Sequence, residues 1–311
     1  MLIVGAGMAG LLAGHMLRRH SPRIIEAQSE LPNNHSALLR FRTRAVQEAT
    51  GIPFREVIVR KALCRNGHLR SWATLADNNE YSVKVTGEVL DRSVLNLDSA
   101  TRYIAPPDFI AQLAKGLDVE YRCPFNPMWL KTRDLSDPII STMPMPVLMQ
   151  MADWEERFDF RWREIWTLNF YITSPRVDVF QTIYFPDVEV PYYRVSVTGN
   201  LVTMEYARET GIVAKEIQAI LRYLGLEKVS IDIDPHPVVK HQKYGKLLPI
   251  PENERKAFIL AMTDRYGIWS LGRFGTWRQL LLDDVVADIR FIDRVIETKD
   301  MYSQRLHHHS S

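Results

Sequence analysis

The sequence predicts an α/β fold in which a discontinuous domain with a parallel sheet is joined to a second domain with a mixed or antiparallel sheet. Three observations support this prediction. A short apolar run at residues 2–4 and a glycine-rich turn precede a helical pattern over residues 8–19. Aromatic and β-branched residues alternate between residues 158 and 206, as they do in strands. A second apolar run with glycines, residues 268–275, returns the chain to the first domain.

The N-terminal turn has the spacing Gly-x-Gly-x-x-Gly, at Gly5, Gly7 and Gly10. The first glycine permits a tight turn, the second lets a diphosphate approach the backbone, and the third lets the helix pack closely on the strand. Backbone N–H groups at the helix start, at Met8 and Ala9, would meet the negative charge. Strand, turn and helix together predict a Rossmann-like dinucleotide site rather than a purely structural turn.

The next strand lies in "RIIEAQ" and ends at Glu26, 21 residues after Gly5. An acidic residue about 20 positions beyond such a turn binds the ribose of the adenosine. We therefore expect Glu26 and its neighbour Ala27 to contact the nucleotide. The sequence contains no second Gly-x-Gly-x-x-Gly, which disfavours an enzyme with two separate dinucleotide domains.

The C-terminal turn contains Gly272 and Gly275, directly after the strand predicted at residues 268–271. Asp283 and Asp284 are expected to cap the following helix, because acidic side chains accept hydrogen bonds from the first N–H groups of a helix. A helix N-terminus near this turn would stabilise a group that accumulates negative charge.

This C-terminal stretch resembles the flavin-binding motif of UDP-galactopyranose mutase and its relatives, within the amine-oxidase-like class of FAD proteins. The matching residues are Gly272, Arg273, Gly275, Thr276, Trp277 and Asp283. Residues 191–194, Pro-Tyr-Tyr-Arg, and residues 249–251, Pro-Ile-Pro, resemble the same family. The resemblance implies that the cofactor is FAD. The C-terminal residues that it places beside FAD are Gly272, Arg273, Thr276 and Asp283.

The resemblance also implies roles for residues elsewhere in the chain. In the wider class a strand backbone touches the adenine, which corresponds here to Val119. A crossing strand and proline turn would bring Met143 near the cofactor, with core packing as the alternative. Arg194 is expected to hold a substrate anion bidentately, with a structural salt bridge as the alternative. Tyr193 and Trp277 complete the predicted catalytic set, although Tyr193 could also be structural.

The chain departs from the family in ways that bear on the substrate. Gln279 stands where the family has a second tyrosine. The Gly-Gly pair that follows the ribose acid is replaced by "PNNHSALLRFRTRAV", and the helical domain that grips uridine diphosphate is reduced to residues 106–116 and a few turns. The resemblance therefore implies the flavin without implying a UDP-sugar substrate.

The segment that follows the ribose acid concentrates Arg40, Arg42 and Arg44 at alternating positions. A strand with a period of two would place all three side chains on one face. We expect Arg42 to contact a phosphate or a substrate anion. A solvated basic edge is an equally open interpretation.

Other patterns complete the predicted architecture. Residues 71–87 contain an Asn-Asn pair and predict a β-hairpin, and residues 105–117 and 211–226 predict helices. The predicted FAD-binding domain comprises residues 1–60, 100–150 and 245–300. Residues 61–99 and 151–244 form the predicted sheet domain, and residues 301–311 are expected to be a tail.

Composition limits the possible classes of protein. The chain has 311 residues and a formal net charge of +2, so no overall basic field points to nucleic acid. Only two cysteines occur, which excludes a disulfide framework and favours a reducing compartment. No apolar run approaches the roughly 20 residues that span a bilayer, and no signal peptide is evident. We therefore expect a cytoplasmic protein, not associated with membranes, and no metal site.

Three functions remain open at this stage. The first is an FAD-dependent oxidoreductase that transfers hydride between flavin N5 and a small amine- or amino-acid-like substrate. The second is a redox-neutral sugar isomerase that uses reduced FAD in the manner of UDP-galactopyranose mutase. The third is a flavoenzyme that modifies a nucleotide in nucleic acid, which the near-neutral charge makes weaker. A small-molecule substrate is the expected partner, and the sequence leaves the oligomeric state open.

Overall fold

The structure, a computed structural model, forms two sheets with helices packed on them. The residues that it describes are 1–31, 40–90, 93–132, 137–156, 158–173, 179–211, 214–226, 232–233 and 236–308. The strands are β1 (Leu2–Val4), β2 (Arg23–Ile25), β3 (Arg40–Phe41), β4 (Arg55–Arg65), β5 (His68–Arg70), β6 (Ala100–Ile104), β7 (Asp118–Glu120), β8 (Ile139–Ser141), β9 (Trp162–Thr173), β10 (Val179–Tyr184), β11 (Tyr192–Gly199), β12 (Leu201–Tyr206), β13 (Asp232–Ile233), β14 (Val238–Leu247) and β15 (Ile268–Ser270). The α-helices are α1 (Met8–Met16), α2 (Ala45–Thr50), α3 (Leu75–Thr86), α4 (Phe109–Ala114), α5 (Trp129–Thr132), α6 (Met145–Met151), α7 (Ala214–Tyr223), α8 (Glu252–Tyr266), α9 (Gly272–Gly275) and α10 (Leu282–His308).

The first sheet has five strands in the order β15-β8-β1-β2-β7, and all of its pairings are parallel. Strand β1 lies in the middle, with β2 on one side and β8 on the other. The chain therefore continues from β1 to β2 on one side of β1 and later places β8 on its other side. At such a reversal of the strand order, a crevice opens at the carboxyl ends of the strands. Strand β15, from the far end of the chain, pairs with β8.

Helices cover both faces of this sheet, which explains the continuous apolar runs in its strands. Helix α1 packs with α4 and α10 on one face, where Leu11 and Leu12 are fully buried. Helices α6 and α8 cover the other face with Met149 and Phe258. Helix α1 approaches the sheet closely because Gly14 has no side chain, and a Cβ there would lie 2.7 Å from Ile24 Cδ1.

The second sheet has ten strands, eight of them in the order β13-β9-β12-β11-β10-β4-β6-β3, with β14 paired to β9 and β5 to β4. It is mixed, since β4 and β10 run parallel whereas the other pairs are antiparallel. The amphipathic helix α7 covers one apolar face through Ile217 and Ile220. The opposite face carries polar side chains such as Thr182 and Ser196, which are cross-strand partners. The predicted α/β fold with a parallel sheet and a mixed sheet is confirmed.

The hairpin predicted over residues 71–87 is wrong, because these residues form helix α3. Thr74 and Asp77 make a capping box, in which Asp77 N donates to Thr74 Oγ1 at 3.1 Å and Thr74 N donates to the Asp77 carboxylate at 2.8 Å. Gly87 ends the helix with a φ of 89°. The Asn-Asn pair therefore lies inside a helix, where Asn78 Oδ1 accepts a hydrogen bond from Val94 N.

The prediction that three arginines share one strand face is also wrong. Strand β3 covers only Arg40 and Phe41, so the alternation stops before Arg42. The Arg44 guanidinium instead pairs with Glu56 at 2.6 Å, and both of these side chains are about half exposed. Phe41 packs in the core of the first domain, which anchors β3 between the two sheets.

Sheet membership bears on the predicted domain boundaries. Residues 40–41, 55–60 and 100–104 were grouped with the FAD-binding domain, but they form strands of the second sheet. Helix α10 extends to residue 308, into the segment expected to be a tail.

Within the part of the chain that the structure describes, no helix combines the length and the hydropathy that crossing a bilayer requires.

Candidate functional site

The turn after β1 leaves a groove at the start of α1. Gly5 has a φ of 99°, in the left-handed region that favours glycine, and its N–H donates to Ile25 O at 2.8 Å. A Cβ on Gly10 would lie 1.9 Å from Gly5 O, so the close helix–strand approach requires glycine. A Cβ on Gly7 would meet nothing within 4 Å. This open space in front of a helix N-terminus that lacks a side-chain cap suits an anionic ligand.

The predicted ribose-binding acid lies at the end of the neighbouring strand. The Glu26 carboxylate accepts hydrogen bonds from Ala6 N at 2.7 Å and from Gln28 N at 2.9 Å, which fixes its position beside the turn. Ala27 is exposed at the same edge. Val119 of β7 pairs with Ile24 of β2, so its backbone continues this edge of the sheet.

The turn after β15 contacts the turn after β1. Gly272 has a φ of 77°, and a Cβ on it would lie 2.7 Å from Ala9 Cβ. A Cβ on Gly275 would lie 2.9 Å from Ser141 O and 3.5 Å from Met143 O, at the end of β8. Three loops thus meet at the carboxyl ends of β1, β8 and β15, where the strand order reverses.

Hydrogen bonds from the C-terminal turn connect it to the last residues of β14 and to the residue that follows this strand. Trp277 Nε1 donates to Leu248 O at 3.0 Å, and Arg273 Nη2 donates to Gly245 O at 2.7 Å. The Thr276 hydroxyl donates to Gly272 O at 2.8 Å within the turn itself. These bonds hold the indole of Trp277 in place, so its predicted catalytic role would be one of positioning rather than proton transfer.

The expected capping role of Asp283 is wrong. Its carboxylate accepts hydrogen bonds from Thr43 N at 3.0 Å, from Thr43 Oγ1 at 2.6 Å and from Arg42 N at 3.3 Å. It therefore joins the start of α10 to the loop after β3. Asp284 caps instead, since its carboxylate accepts from Leu281 N at 2.8 Å.

A cavity of about 950 Å³ lies between the C-terminal turn and the polar face of the second sheet. Its lining is strongly basic, with nine basic residues and two acidic ones. The basic residues are Arg40, Arg42, Lys61, Arg102, Arg194, Lys246, Arg255, Arg273 and Arg278, and the acidic ones are Glu205 and Glu252. Trp277 and Gln279 also line it, whereas the glycine turn after β1 does not.

Arg194 faces this cavity but is held by a carboxylate. Its Nε and Nη2 donate to the two oxygens of Glu205, its cross-strand partner, with 2.6 Å for the Nη2 bond. Burial disfavours the charge, but Glu205 outweighs it and holds the pKa of Arg194 well above its ordinary value. The bidentate face expected to bind substrate is therefore occupied by Glu205, and the salt-bridge alternative describes the geometry.

Tyr193, also predicted to be catalytic, lies away from the cavity lining. It is fully buried, and it packs edge-on to Tyr81 at a ring-centroid distance of 6.1 Å. Lys246 Nζ lies 5.6 Å from its ring centroid. The catalytic role of Tyr193 stays a prediction that this burial does not favour.

Seven of the eleven charged residues that line the cavity were not predicted as site residues, namely Lys61, Arg102, Glu205, Lys246, Glu252, Arg255 and Arg278. Lys61 and Arg102 lie on β4 and β6, which neither a motif nor a resemblance had marked. The two-residue period of a strand places Lys61 on the same face as Val57 and Val59, but the apolar run at residues 57–59 gives no alternation from which this face could be predicted. Among the described residues, no group of His, Cys, Asp and Glu side chains could hold a metal ion.

Comparisons with known proteins support the fold. Neither a protein-family profile nor a curated protein sequence matches the chain. Reduced UDP-galactopyranose mutase superposes with a TM-score of 0.67 at 13% identity, covering 96% of this chain and 93% of that chain. A candidate protoporphyrinogen oxidase from Exiguobacterium sp. 255-15 gives 0.61 at 11% identity, with 96% and 98% covered. A fatty acid isomerase from P. acnes that produces CLA gives 0.56 at 11% identity, with 94% and 97% covered.

These similarities extend over nearly the whole length of each chain, so they concern the complete two-sheet architecture and not only the dinucleotide-binding part. At identities this low, they establish the fold and not the reaction. The chain therefore has the fold of the class that contains UDP-galactopyranose mutase, as its terminal motifs predicted.

Proposed function

We propose that this protein is an FAD-dependent oxidoreductase that acts on a small molecule in the basic cavity. The observation that carries the proposal is the contact between the two glycine turns, where Gly272 faces Ala9 at the carboxyl edge of the parallel sheet. This arrangement fits a long diphosphate-containing ligand. The space beside Gly7 is open because glycine has no side chain, and any larger residue there would occupy it. The fold, shared with reduced UDP-galactopyranose mutase, supports the same ligand.

The residues that would hold FAD follow from this geometry. The N–H groups at Gly7, Met8 and Ala9 would bind the diphosphate, and Glu26 would bind the ribose. The flavin ring would lie beside the C-terminal turn, next to Gly272, Arg273, Thr276 and Trp277, of which Arg273 and Trp277 line the cavity. Arg42, Val119, Met143 and Asp283 remain predicted contacts.

Bound FAD would supply hydride acceptance or donation at its N5 atom. The protein contributes binding, orientation and exclusion of water. Arg273 and Trp277, held by backbone carbonyls, give the cavity a fixed wall next to the C-terminal turn. A wall that does not reorganise keeps the substrate in one orientation, which is the main contribution of such positioning residues.

The charge of the cavity supports one class of substrate over another. Nine basic residues against two acidic ones repel a simple cationic amine and attract a carboxylate or a phosphate. An amino acid or another organic acid therefore suits the site better than an amine without an acidic group. The fatty acid isomerase from P. acnes, with the same fold, acts on a carboxylic acid, which supports this choice.

Two alternatives have different support. A redox-neutral isomerisation is supported by the likeness to UDP-galactopyranose mutase. Modification of nucleic acid is supported less, because the cations line a cavity rather than a strip of open surface. Two further arginines, Arg161 and Arg163, are engaged with Asp159 and with Thr86 O. A cytoplasmic location stays a prediction from the sequence.

Flavin content tests the cofactor. We expect the purified protein to carry FAD, identified by its visible spectrum and by chromatography after denaturation. Gly7→Ala should lower FAD affinity about tenfold or more, because the methyl group would enter the space next to the diphosphate. Gly211→Ala is the matched control, since a Cβ there also meets nothing within 4 Å. Purified protein without FAD that also fails to bind added FAD would contradict the proposal.

Anaerobic spectroscopy then tests the reaction. Bleaching of the oxidised flavin by an amino acid or another organic acid would support net oxidation of the substrate. Activity that requires prior reduction, with no net consumption of reductant, would support the redox-neutral alternative instead. UDP-sugars and oligonucleotides serve as competing substrates in the same assay.

A further inference from the structure

Three cations on neighbouring strands of the second sheet point into the cavity. Arg40 lies on β3, Lys61 on β4 and Arg102 on β6, in the strand order β4-β6-β3. Cross-strand partners share a face of a sheet, and Arg102 pairs with Val57 while Arg40 pairs with Ile104. The two-residue period then places all three cations on one face, and each of them lines the cavity.

These three cations, termed the Arg40–Lys61–Arg102 cluster, bond only to neutral groups among the described residues. Arg40 donates to Thr198 Oγ1 at 2.9 Å, to Thr182 Oγ1 at 3.0 Å and to backbone carbonyls. Lys61 donates to Asn96 O at 3.3 Å, and Arg102 donates to the neighbouring Thr101 O at 2.7 Å. Arg194, in contrast, has the Glu205 carboxylate on the same face.

No carboxylate is hydrogen-bonded to the cluster among the described residues, so repulsion between like charges outweighs the attraction of Asp98 for Lys61 and of Glu205 for Arg40. Burial, together with Arg194 and Arg102, lowers the pKa of Arg40 to about 10. Burial and Arg102 likewise lower the pKa of Lys61. Charges that are partly removed from water are normally paired, so a cluster of like charges in a cavity is a candidate binding site for the opposite charge.

We propose that the Arg40–Lys61–Arg102 cluster is a subsite that binds an oxyanion of the substrate, a carboxylate or a phosphate. The inference rests on the proposed function, because it assigns the residues that would bind the acidic group of that substrate. The cofactor's own diphosphate is the other possible source of such an anion. The glycine turn does not line the cavity, and the cluster belongs to the second sheet, so the geometry favours the substrate.

The test uses the purified holoprotein, with inorganic phosphate and acetate as probes. Binding is measured by calorimetry, and FAD content is measured separately for each variant. Lys61→Gln and Arg102→Gln each remove one charge, whereas Arg40 is left intact because its bonds to β10 and β11 support the sheet. The matched control is Arg60→Gln, on the exposed opposite face of the same strand as Lys61.

We expect the parent to bind at least one of the two anions saturably. Each cavity variant should weaken that binding about tenfold, as loss of a charge-assisted contact does, with unchanged FAD content. Arg60→Gln should bind as the parent does. Binding of neither anion by the parent, or equal binding by parent and cavity variants, would overturn the proposal.

Loss of FAD together with anion binding in the cavity variants would also overturn it, since the cluster would then serve the cofactor. A failure of the proposed function gives a different result. The parent would then lack FAD while phosphate or acetate binding still depended on Lys61 and Arg102, and the anion subsite would stand.

Discussion

The carboxyl edge of the parallel sheet and the polar face of the second sheet achieve ligand complementarity in different ways. At the edge, the site is made of backbone, because Gly5, Gly10 and Gly272 remove side chains where loops must meet. On the polar face, the site is made of charged side chains, with Lys61 and Arg102 supplied by separate strands. In the proposed site, the edge would therefore select a dinucleotide by its shape, whereas the face would select a substrate by its charge.

The difference teaches which region tolerates change. A backbone site depends on open space. Adding a single methyl group at one of its glycines should therefore disrupt ligand binding or packing more than a charge reversal nearby. A side-chain site depends on net charge, so it tolerates changes of volume but responds to every gain or loss of an ionised group. The predictions below test this contrast, from the largest expected effect to the smallest.

Gly10→Ala should disrupt the packing of α1 against the turn after β1, at the carboxyl edge of the parallel sheet. The new Cβ would lie 1.9 Å from Gly5 O, and neither backbone can move without displacing β1 or α1. We expect a loss of about 3 kcal/mol or more in the free energy of unfolding, measured in denaturant. Gly211→Ala, placed in open space, should stay within about 0.5 kcal/mol of the parent. Equal stabilities of the two variants would refute the packing argument.

Glu205→Gln should change the balance of charges on the polar face of the second sheet. It leaves the Arg194 charge without its carboxylate in a site where the two side chains are 26% and 13% exposed. We expect a loss of about 2 kcal/mol in the free energy of unfolding, and tighter binding of inorganic phosphate because the cavity gains a positive charge. Glu209→Gln, at an exposed position, is the control. A variant that unfolds like this control would show that the pair contributes nothing.

Thr74→Ala should destabilise α3, the helix whose residues Tyr81 and Val85 pack in a cluster with Leu63 of β4. The substitution removes the hydroxyl that accepts from Asp77 N, and loss of a helix cap costs about 1 kcal/mol. Urea unfolding measures this cost against Ser71→Ala, an exposed position before the helix. FAD content should not change, because α3 does not touch the edge. A coupled loss of FAD would show that the two regions are not separable.

Glu252→Gln should have the smallest effect, and its effect should depend on pH. The hydrogen bond from Arg255 lowers the pKa of Glu252 from its ordinary 4.5 to about 2. A lowered carboxyl pKa stabilises the folded state above pH 4.5, and this contribution disappears as the pH falls through 2. Denaturation midpoints of parent and variant should therefore differ above pH 5 and converge near pH 2. A constant difference would contradict the assignment, and Glu254→Gln is the control.

The sequence predicts the residues at the carboxyl edge of the parallel sheet more completely than those on the polar face of the second sheet. The glycine turn, Glu26 and the C-terminal motif are contiguous segments, so their spacing carries the physical requirement directly. The cavity face is assembled by strand register, which brings residues 40, 61 and 102 together only once β3, β4 and β6 are paired. The hairpin predicted at α3 is wrong because it relied on the turn preference of an Asn-Asn pair and overlooked the Thr74–Asp77 capping box. Asp283 was placed on the correct segment, but its tertiary partners at residues 42–43 were not predictable from local rules.

The contact between Gly272 and Ala9 joins segments that leave the ribosome far apart in time. A nascent chain that has emerged only to residue 260 contains the complete N-terminal turn but neither β15 nor the second glycine turn. Its parallel sheet then ends at β8, with an open edge where β15 belongs. The contact between the two glycine turns can therefore form only after most of the chain has been synthesised, and so can any site that requires both turns.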